Sequence, residues 1–382
     1  MTMTDAAAPR GLKGVIVADT ALGDVRGLEG FYHYRQYSAP ELAAKRTFED
    51  VWYLLFEGDL PSLARRDEYT ARIAAARHLP AAVLDLLPAM VGAGTPPLAA
   101  LRTALSHFAA IEAMPPTYDA DPETIRTDAM RLCAVTPVLV AALYRASIGA
   151  SAIAPRDDLG SAANYLYMID GEVPEPARAR AIEQYLILAI DHGFNASTFT
   201  ARVVTSTGAD LGAAIVAAIG ALSGPLHGGA PSRALDMLDA IGTPDRAEAY
   251  IRRAVEDGER IMGFGHRVYK TDDPRSLLLR SVTERLGGPL VEFSQSVERT
   301  TVDVLAELKP GRHLYTNVEF YAGVVMHTCG IPREMFTPTF ATGRTIGWST
   351  HVMEQASHNR LIRPAARYVG PPPPQPVPPA TG

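Results

Sequence analysis

The amino-acid sequence predicts a mainly α-helical protein. Many segments carry apolar residues at helical spacing, begin at capping residues and end at Gly or Pro. Convincing strand patterns are few, and no internal repeat or alternation of strands with helices indicates a parallel sheet. At 382 residues a single core is not expected. We therefore expect two helical domains, or one large domain with a smaller partner.

Strand patterns are confined to the N-terminal region. Segments 15–19 and 31–35 have strand-forming composition and predict a small sheet. The first clear helix is predicted over 47–58, where apolar residues recur at helical spacing and a glycine stands at the end. Thr47 with Asp50 resembles a capping box in which Asp replaces Glu, and it marks the start of this helix.

The later helices are predicted from their caps and breakers. Asp210, Asp245 and Asp273 each precede a helical pattern and are expected to cap it. Pro231 suits the first turn of a helix. The predicted helices are 177–190, 197–206, 211–222, 232–241, 246–257, 275–285, 318–329 and 338–355.

The stretch 211–232 carries no formal charge and is long enough to span a bilayer. Half of its residues are Ala or Gly, however, and Pro225 and His227 interrupt it, so its hydrophobic driving force is small. We expect no membrane span here. The composition favours a buried helix whose small residues let another helix approach closely.

Composition restricts the class of protein. The chain has 36 Lys plus Arg against 42 Asp plus Glu, and its net charge of -6 argues against a general nucleic-acid binder. Two cysteines, Cys133 and Cys329, make no disulfide framework, which indicates a reducing cytoplasm. The first ten residues lack the apolar core of a secretory signal, so a cytoplasmic location is expected.

The C-terminal segment 371–382 is proline-rich. It holds seven of the 30 prolines, which prevent a helix and leave little to bury. We expect a disordered or polyproline-II-like tail. A ligand for a partner protein is the alternative interpretation.

Three histidines, His192, His227 and His266, lie in or beside predicted helix breaks with glycine close by. Such glycines let a backbone approach a ligand and place the ring on a turn. His227 stands just before a predicted helix N-terminus, whose positive dipole end disfavours the imidazolium form. A neutral imidazole there could donate a hydrogen bond to a developing enolate oxygen. A lone histidine is more often structural.

Positive charges follow His266. Arg267 and Lys270 come next, and Arg275 stands in the first turn of the following predicted helix. Cations and helix N–H groups together favour carboxylates or phosphates as ligands. A solvated basic loop is the alternative interpretation.

Motifs of other site types are absent from the sequence. The three histidines are far apart, and no HExxH or CxxC pattern supports a metal site. There is no phosphate-binding P-loop, no GxGxxG after a strand and no GxSxG. Cys133 and Cys329 are expected to be buried thiols.

Nine segments together resemble one family, that of citrate synthase and 2-methylcitrate synthase. They occur in the family's order from about Gly11 to Pro371. The strings around His227 and His266 are the most specific of them. The segments are GLKGVIVADT, YRQY followed by APELA, TFEDVWYLLFEGDLP, DHGFNASTFTARVVTSTGAD, GALSGPLHGGAP, IMGFGHRVYKTDDPR, NVEFYAGVVM, FATGRTIGW and LIRPAARYVGP.

The resemblance implies an all-α fold in which a small domain closes over substrates held on a large one. It places the large domain at 1–229 and 326–370 and the small domain at 230–325. It also implies a homodimer of the shorter form of the enzyme.

The resemblance implies a condensation of acetyl-CoA with oxaloacetate, in which the CoA thioester is a substrate and no cofactor is needed. A carboxylate, here Glu319, removes the methyl proton. His227 hydrogen-bonds the thioester oxygen as the enol or enolate forms, and His266 polarises and protonates the oxaloacetate carbonyl. Hydrolysis of the citryl-CoA intermediate then releases CoA.

The resemblance also assigns the ligands of the two substrates. His192, Arg275 and Arg344 are implied to hold oxaloacetate, with Arg363 reaching in from the other subunit. Guanidinium forks can orient a dianion as well as bind it. The CoA contacts are placed loosely at Gly263, Gly265, Arg267 and Lys270.

The sequence departs from the family at the base. The family motif usually reads Asn-Val-Asp, whereas this chain has Asn317, Val318 and Glu319. Either the pocket has adjusted to the longer side chain or activity is impaired, and agreement among the other residues favours adjustment. Two alternatives stay open: a 2-methylcitrate synthase that uses propionyl-CoA, and a non-catalytic homologue that binds CoA or oxaloacetate.

Overall fold

The computed structural model describes residues 9–12, 14–92, 94–227, 230–266, 268–312 and 314–378. Helices dominate these residues, which confirms the predicted fold class. Within them one antiparallel sheet occurs, near the N-terminus, with strand order β1-β2-β3. Its strands are β1 (Gly23–Arg26), β2 (Phe31–Tyr34) and β3 (Tyr37–Ser38).

The strand predictions are half right. The predicted strand 31–35 is confirmed as β2, whose Phe31 pairs with Arg26 of β1. The predicted strand 15–19 is wrong, because this segment has no regular secondary structure and pairs with none of the described strands. Its apolar side chains are largely exposed, and Ile16 is exposed to 88%. The segment therefore has strand-forming residues but neither a partner strand nor a core to pack against.

The helices run along almost the whole chain. In order they are α1 (Ala39–Lys45), α2 (Phe48–Glu57), α3 (Leu63–Ala76), α4 (Ala81–Leu84), α5 (Leu87–Met90), α6 (Pro97–Ile111), α7 (Pro122–Ser147), α8 (Ser161–Asp170), α9 (Pro176–Ala189), α10 (Ala196–Ser206), α11 (Leu211–Leu222), α12 (Ala230–Ile241), α13 (Ala247–Glu256), α14 (Pro274–Leu286), α15 (Pro289–Leu308), α16 (Val318–Thr328) and α17 (Phe336–Ser357). Short 3-10 turns occupy Arg10–Leu12, Pro244–Arg246 and Arg333–Met335.

Three predicted caps are confirmed. Thr47 and Asp50 form a reciprocal capping box at the start of α2. Asp210 accepts a hydrogen bond from the Ala213 N–H at 2.8 Å and so caps α11. Asp273 caps α14 in the same way.

The predicted cap at Asp245 is wrong. Pro244 begins a 3-10 turn, and Asp245 lies inside that turn. Arg246 therefore occupies the cap position of α13, without a side-chain hydrogen bond. The fixed φ of proline suits the turn, which displaces the start of the helix by one residue.

The core is formed by helices that are buried along most of their length. Helix α17 is buried from Phe336 to Gln355 on most of its faces, and α7 packs beside it. By length and composition α7 could cross a membrane, but 72% of its most apolar window is buried inside the protein. A core helix of a globular protein has the same properties.

Helix α11 confirms the interpretation of the uncharged stretch. Most of its residues are buried, and it packs closely on α6. A Cβ atom on Gly212 would lie only 2.3 Å from the Cβ of Ala109 on α6. The missing side chain at Gly212 therefore permits this approach.

The predicted domain division remains a prediction. Its small-domain segment, 230–325, contains α12 to α15 and the first part of α16. The boundary after residue 325 falls inside α16, so this helix would connect the two domains. The predicted tail is exposed and without helix or strand over 371–378, and residues 379–382 lie outside the described residues.

Replacing Gly212 with Ala tests the close packing of α6 and α11. We expect Gly212→Ala to lower the free energy of unfolding by about 1–3 kcal/mol, because the methyl group overlaps Ala109. Gly220→Ala on the same helix is the control, since its Cβ would meet nothing closer than the end of Arg102 at 3.6 Å. It should leave stability unchanged or raise it by up to about 1 kcal/mol. Urea unfolding measures both, and equal stabilities would contradict the packing constraint.

Candidate active site

The first predicted histidine lies on the turn between α9 and α10. Gly193 adopts φ +63 after it, a conformation that glycine adopts without strain. His192 Nε2 lies 2.9 Å from the Tyr269 hydroxyl. Burial, followed by the charges of Arg275 and Arg344, holds the pKa of His192 well below its usual value, so the ring is neutral.

His266 lies beside His192, with 5.9 Å between the ring centroids. Its Nδ1 accepts hydrogen bonds from the backbone N–H groups of Val268 and Tyr269, both at 3.0 Å. Burial, followed by the charge of Arg275, lowers the pKa of His266 to about 4. In the neutral ring the proton is therefore assigned to Nε2.

The Nε2 atom of His266 lies 3.2 Å from Nη2 of Arg275. Both atoms carry protons in this assignment, so neither nitrogen accepts from the other. An oxygen atom to one side of the pair, within hydrogen-bond distance of both nitrogens, would accept from both. This geometry suits a carbonyl or carboxylate ligand.

Arg275 is held by a carboxylate two residues before it. Asp273 accepts from Nε of Arg275 at 3.0 Å and from Nη2 at 2.8 Å, and both side chains are almost fully buried. A further hydrogen bond of Asp273 reaches α16, because the Val318 N–H donates to Oδ2 at 3.0 Å. Asp273 thus joins the arginine to the helix that carries Glu319.

Glu319 stands in the first turn of α16, where Asn317 caps the helix through the Glu319 N–H. Burial raises the pKa of Glu319 to about 7, Arg275 and Arg344 oppose the rise, and Asp273 adds to it. A carboxylate with this pKa can accept a proton near neutral pH.

The glycines before His266 support α16. The backbone of Gly263 accepts from the Asn317 N–H at 2.8 Å, and the Asn317 side chain donates to the Gly265 carbonyl at 2.9 Å. A Cβ on Gly263 would lie 2.8 Å from the Cβ of Phe320, and both glycines have positive φ. The structure therefore shows a packing role for these two glycines, which the sequence associated with CoA.

Arg344 reaches the site from α17. Its Nε donates to the Ala189 carbonyl at 2.7 Å, at the end of α9, and its side chain is buried. Its guanidinium carbon lies 4.6 Å from the Phe340 ring centre. Burial lowers the pKa of Arg344, and the nearby Asp191 opposes this.

The predicted histidine His227 packs against the start of α10. Its Nε2 lies 2.8 Å from the Ser197 hydroxyl and 3.3 Å from the Ser197 N–H. Trp348 donates to the same hydroxyl oxygen at 3.1 Å. Since the backbone N–H donates to Nε2, the ring proton is assigned to Nδ1. Burial, followed by Arg344, lowers the pKa of His227 to about 4.

The structure brings most of the predicted residues into one linked group. His266 contacts both His192 and Arg275, and the charges of Arg275 and Arg344 act on Glu319. Arg344 also acts on His227. The structure places Arg363 in an exposed segment after α17 and leaves Lys270 exposed, while Arg267 lies outside the described residues.

Three contributors were missed as site residues. Ser197 and Tyr269 had no motif of their own, although both stand in the strings that carry the family resemblance. Asp273 was predicted only as a helix cap. Its second role depends on α16, which is distant in sequence.

Two further chemical predictions concern thiols and metals. Cys133 and Cys329 are free and buried as predicted, and burial raises the pKa of each to about 12. Across the described ranges, no group of three or more His, Cys, Asp or Glu is arranged to hold a metal ion.

Comparison with known proteins decides the family. The family profile described as citrate synthase, C-terminal domain, matches residues 11–365. The chain belongs to the citrate synthase family. It is 40% identical to citrate synthase of Deinococcus radiodurans, over 94% of this chain and 95% of that one. It is also 40% identical to 2-methylcitrate synthase of Mycobacterium tuberculosis, over 94% of this chain and 90% of that one.

Solved structures of the citrate synthase family agree with the fold. Citrate synthase of Thermotoga maritima superposes with a TM-score of 0.84 at 37% identity, covering 97% of this chain and 98% of that one. A ternary complex of Thermoplasma acidophilum citrate synthase with carboxymethyl coenzyme A and oxaloacetate gives a TM-score of 0.89 at 30% identity. This match covers 97% of this chain and 98% of that one. The chain thus has the two-domain all-helical fold of these enzymes and transfers an acyl group in a condensation reaction.

Replacing Asp273 with Asn tests its role as the buried partner of Arg275. Asp273→Asn should lower the free energy of unfolding by about 3–5 kcal/mol, because it leaves a buried guanidinium without a counter-charge. Asp236→Asn is the matched control, since Asp236 pairs with Arg333 at the exposed surface. Asp236→Asn should lower the free energy of unfolding by at most about 1 kcal/mol. Urea unfolding measures both, and a small effect at Asp273 would show that the pair is dispensable.

Proposed function

We propose that this chain condenses acetyl-CoA with oxaloacetate and releases citrate and CoA. The contact of His266 with Arg275 carries the proposal, because it places two hydrogen-bond donors within reach of one oxygen atom, and Arg275 also acts on Glu319, whose pKa is raised to about 7. A citrate synthase at 30% identity has been solved with oxaloacetate and a CoA derivative, which supports the same pair of substrates.

Oxaloacetate is the ligand of the cation-rich half of the site. It carries two carboxylates, and Arg275 and Arg344 supply two buried guanidinium groups, with His192 beside them. Its ketone oxygen lies against the His266 Nε2–H, where hydrogen bonding makes the carbonyl carbon more electrophilic. Fixed donors cost no reorganisation when charge develops.

Glu319 begins the reaction by removing a proton from the methyl group of acetyl-CoA. The neutral His227 donates from Nδ1 to the thioester oxygen as the enol or enolate forms. The methyl carbon attacks the ketone carbon of oxaloacetate, and the new alkoxide takes a proton from His266. Solvent returns a proton to His266 and takes one from Glu319, so both side chains regain their starting states. Water then hydrolyses the citryl-CoA thioester, which releases CoA and gives citrate.

The dimer, the CoA contacts and the location also belong to this proposal. Arg363 is exposed in the single chain, so it is available to complete the oxaloacetate site of a second copy. The CoA phosphates lie against the loop from Gly263 to Lys270, where cations cluster in the sequence. CoA enters only as a substrate, no further cofactor takes part, and the enzyme works in the cytoplasm.

Propionyl-CoA is the second candidate for the thioester, with 2-methylcitrate as the product. The observation behind it is the equal 40% identity to a citrate synthase and to a 2-methylcitrate synthase. One additional methyl group in an apolar pocket is discriminated by only about 1–3 kcal/mol. A few pocket residues decide between the two.

The deciding assay supplies oxaloacetate with either thioester and follows CoA release. Turnover with a higher kcat/KM for acetyl-CoA supports the leading proposal, and a higher value for propionyl-CoA supports the second. Absence of turnover with both contradicts them. Calorimetry with oxaloacetate and CoA would then detect a non-catalytic binding protein.

Replacing Glu319 tests the base. Glu319→Gln should lower kcat by about 10²–10⁴-fold, because the amide cannot take the methyl proton. Glu319→Asp should lower kcat on the order of 10²-fold, since it withdraws the carboxylate by about 1 Å in a site fitted to the longer side chain. Glu307→Gln, at an exposed ion pair, is the control and should leave kcat unchanged. A Glu319→Gln enzyme with wild-type kcat would exclude Glu319 as the base.

The pH dependence follows from the same carboxyl group. Glu319 acts only when ionised, and its pKa is about 7, so kcat/KM should fall about tenfold per pH unit below 7 and level off above it. His227 and His266 have pKa values of about 4 and stay neutral over this range. Steady-state kinetics from pH 5 to 9 measures the profile. A kcat/KM that stays nearly constant from pH 9 down to pH 5.5 would contradict the raised pKa.

A further inference from the structure

Tyr269 contacts three of the residues proposed to hold oxaloacetate. Its side chain is only 3% exposed. The hydroxyl lies 2.9 Å from His192 Nε2, the ring centre lies 4.8 Å from that of His266, and the Arg275 guanidinium carbon lies 5.6 Å from the ring centre. Its position is therefore central to the substrate site, although its hydroxyl has no step in the proposed reaction.

The hydrogen bond to His192 has a preferred direction. A phenol is a stronger acid than a neutral imidazole N–H, and an imidazole nitrogen is a stronger base than a phenol oxygen. The Tyr269 hydroxyl therefore donates to His192 Nε2. This places the proton of the neutral His192 ring on Nδ1 and makes that atom the donor available to a ligand.

The same residue also fixes His266. The Tyr269 N–H and the neighbouring Val268 N–H donate to His266 Nδ1, so the ring proton is directed to Nε2, next to Arg275. The Tyr269 ring packs on the His266 ring at an interplanar angle of 38°. One residue thereby orients both imidazoles, each through a different atom.

The loop that carries Tyr269 is anchored to the N-terminal sheet. The Lys270 N–H donates to the Gly27 carbonyl at 2.9 Å. A Cβ on Gly27 would lie 2.3 Å from the Val268 carbonyl oxygen, so the turn between β1 and β2 lies directly on this loop. His192 precedes the predicted domain boundary at residue 230 and Tyr269 follows it. The hydroxyl contact therefore joins the two predicted domains.

We propose that Tyr269 is a positioning residue for oxaloacetate, which orients the His192 donor through its hydroxyl and the His266 donor through its ring and backbone. The inference rests on the proposed function, because oxaloacetate is the ligand that these donors receive. Fixed donors bind a dianion more tightly than mobile ones, since less side-chain freedom is lost on binding. Loss of the hydroxyl should therefore weaken oxaloacetate binding more than it slows the chemistry.

The test is Tyr269→Phe, which removes only the hydroxyl. We expect KM and Kd for oxaloacetate to rise about five- to tenfold, as for the loss of one hydrogen bond. The KM for the acyl-CoA should stay within about twofold of wild type, and kcat should fall by less than about threefold. Tyr165→Phe is the matched control, because Tyr165 is equally buried and bonds to Thr339 within the core. It should leave all three constants unchanged.

A double-mutant cycle identifies the path of the effect. Oxaloacetate Kd is measured by calorimetry for wild type, Tyr269→Phe, His192→Ala and the double variant, with thermal melting to confirm that each folds. If Tyr269 acts through His192, its substitution should change Kd by less than about twofold once His192 is absent. Full additivity would overturn the inference, as would an unchanged Kd in Tyr269→Phe.

Failure of this inference differs from failure of the proposed function. A wild-type chain that binds oxaloacetate but turns over neither thioester contradicts the condensation, and the calorimetric cycle still decides the role of Tyr269. A wild-type chain that turns over normally, with an unaffected Tyr269→Phe variant, overturns only the positioning role. A wild-type chain that does not bind oxaloacetate overturns both.

Discussion

The buried ion pair between Asp273 and Arg275 is the interaction on which the rest of the site depends. A guanidinium with 7% of its side chain exposed needs a counter-charge, and Asp273 supplies it through a two-point contact. The same carboxylate accepts the first N–H groups of α14 and α16. One side chain therefore sets the arginine that faces His266 and the helix that presents Glu319.

The cations of the site have opposite consequences for its acids and bases. Burial lowers the pKa of His192 and His227, and the charge of Arg344 lowers both further, with that of Arg275 adding to the effect at His192. The same charges oppose the rise that burial causes in the pKa of Glu319. The result is a set of neutral hydrogen-bond donors and a carboxyl group whose pKa is raised to about 7, which is the combination that the proposed reaction uses.

Local sequence signals predicted the elements whose ends are set by neighbouring residues. The capping box at Thr47 and the cap at Asp210 are such cases, because the bonding groups lie within three residues of one another. Local signals failed where packing or a competing turn decided. Asp245 lies inside a 3-10 turn that Pro244 begins, and segment 15–19 has strand composition without a partner strand.

The sequence by itself determined the fold class, the family resemblance and most of the residue types of the site, since these are carried by motifs that are contiguous in the chain. Only the tertiary structure supplied the contacts from which the proton of each histidine is assigned, the raised pKa of Glu319 and the contact of Tyr269 with His192. These properties depend on burial and on contacts between residues that are distant in sequence. No local pattern encodes them, because a pKa or a tautomer belongs to the surroundings of a group and not to the residue alone.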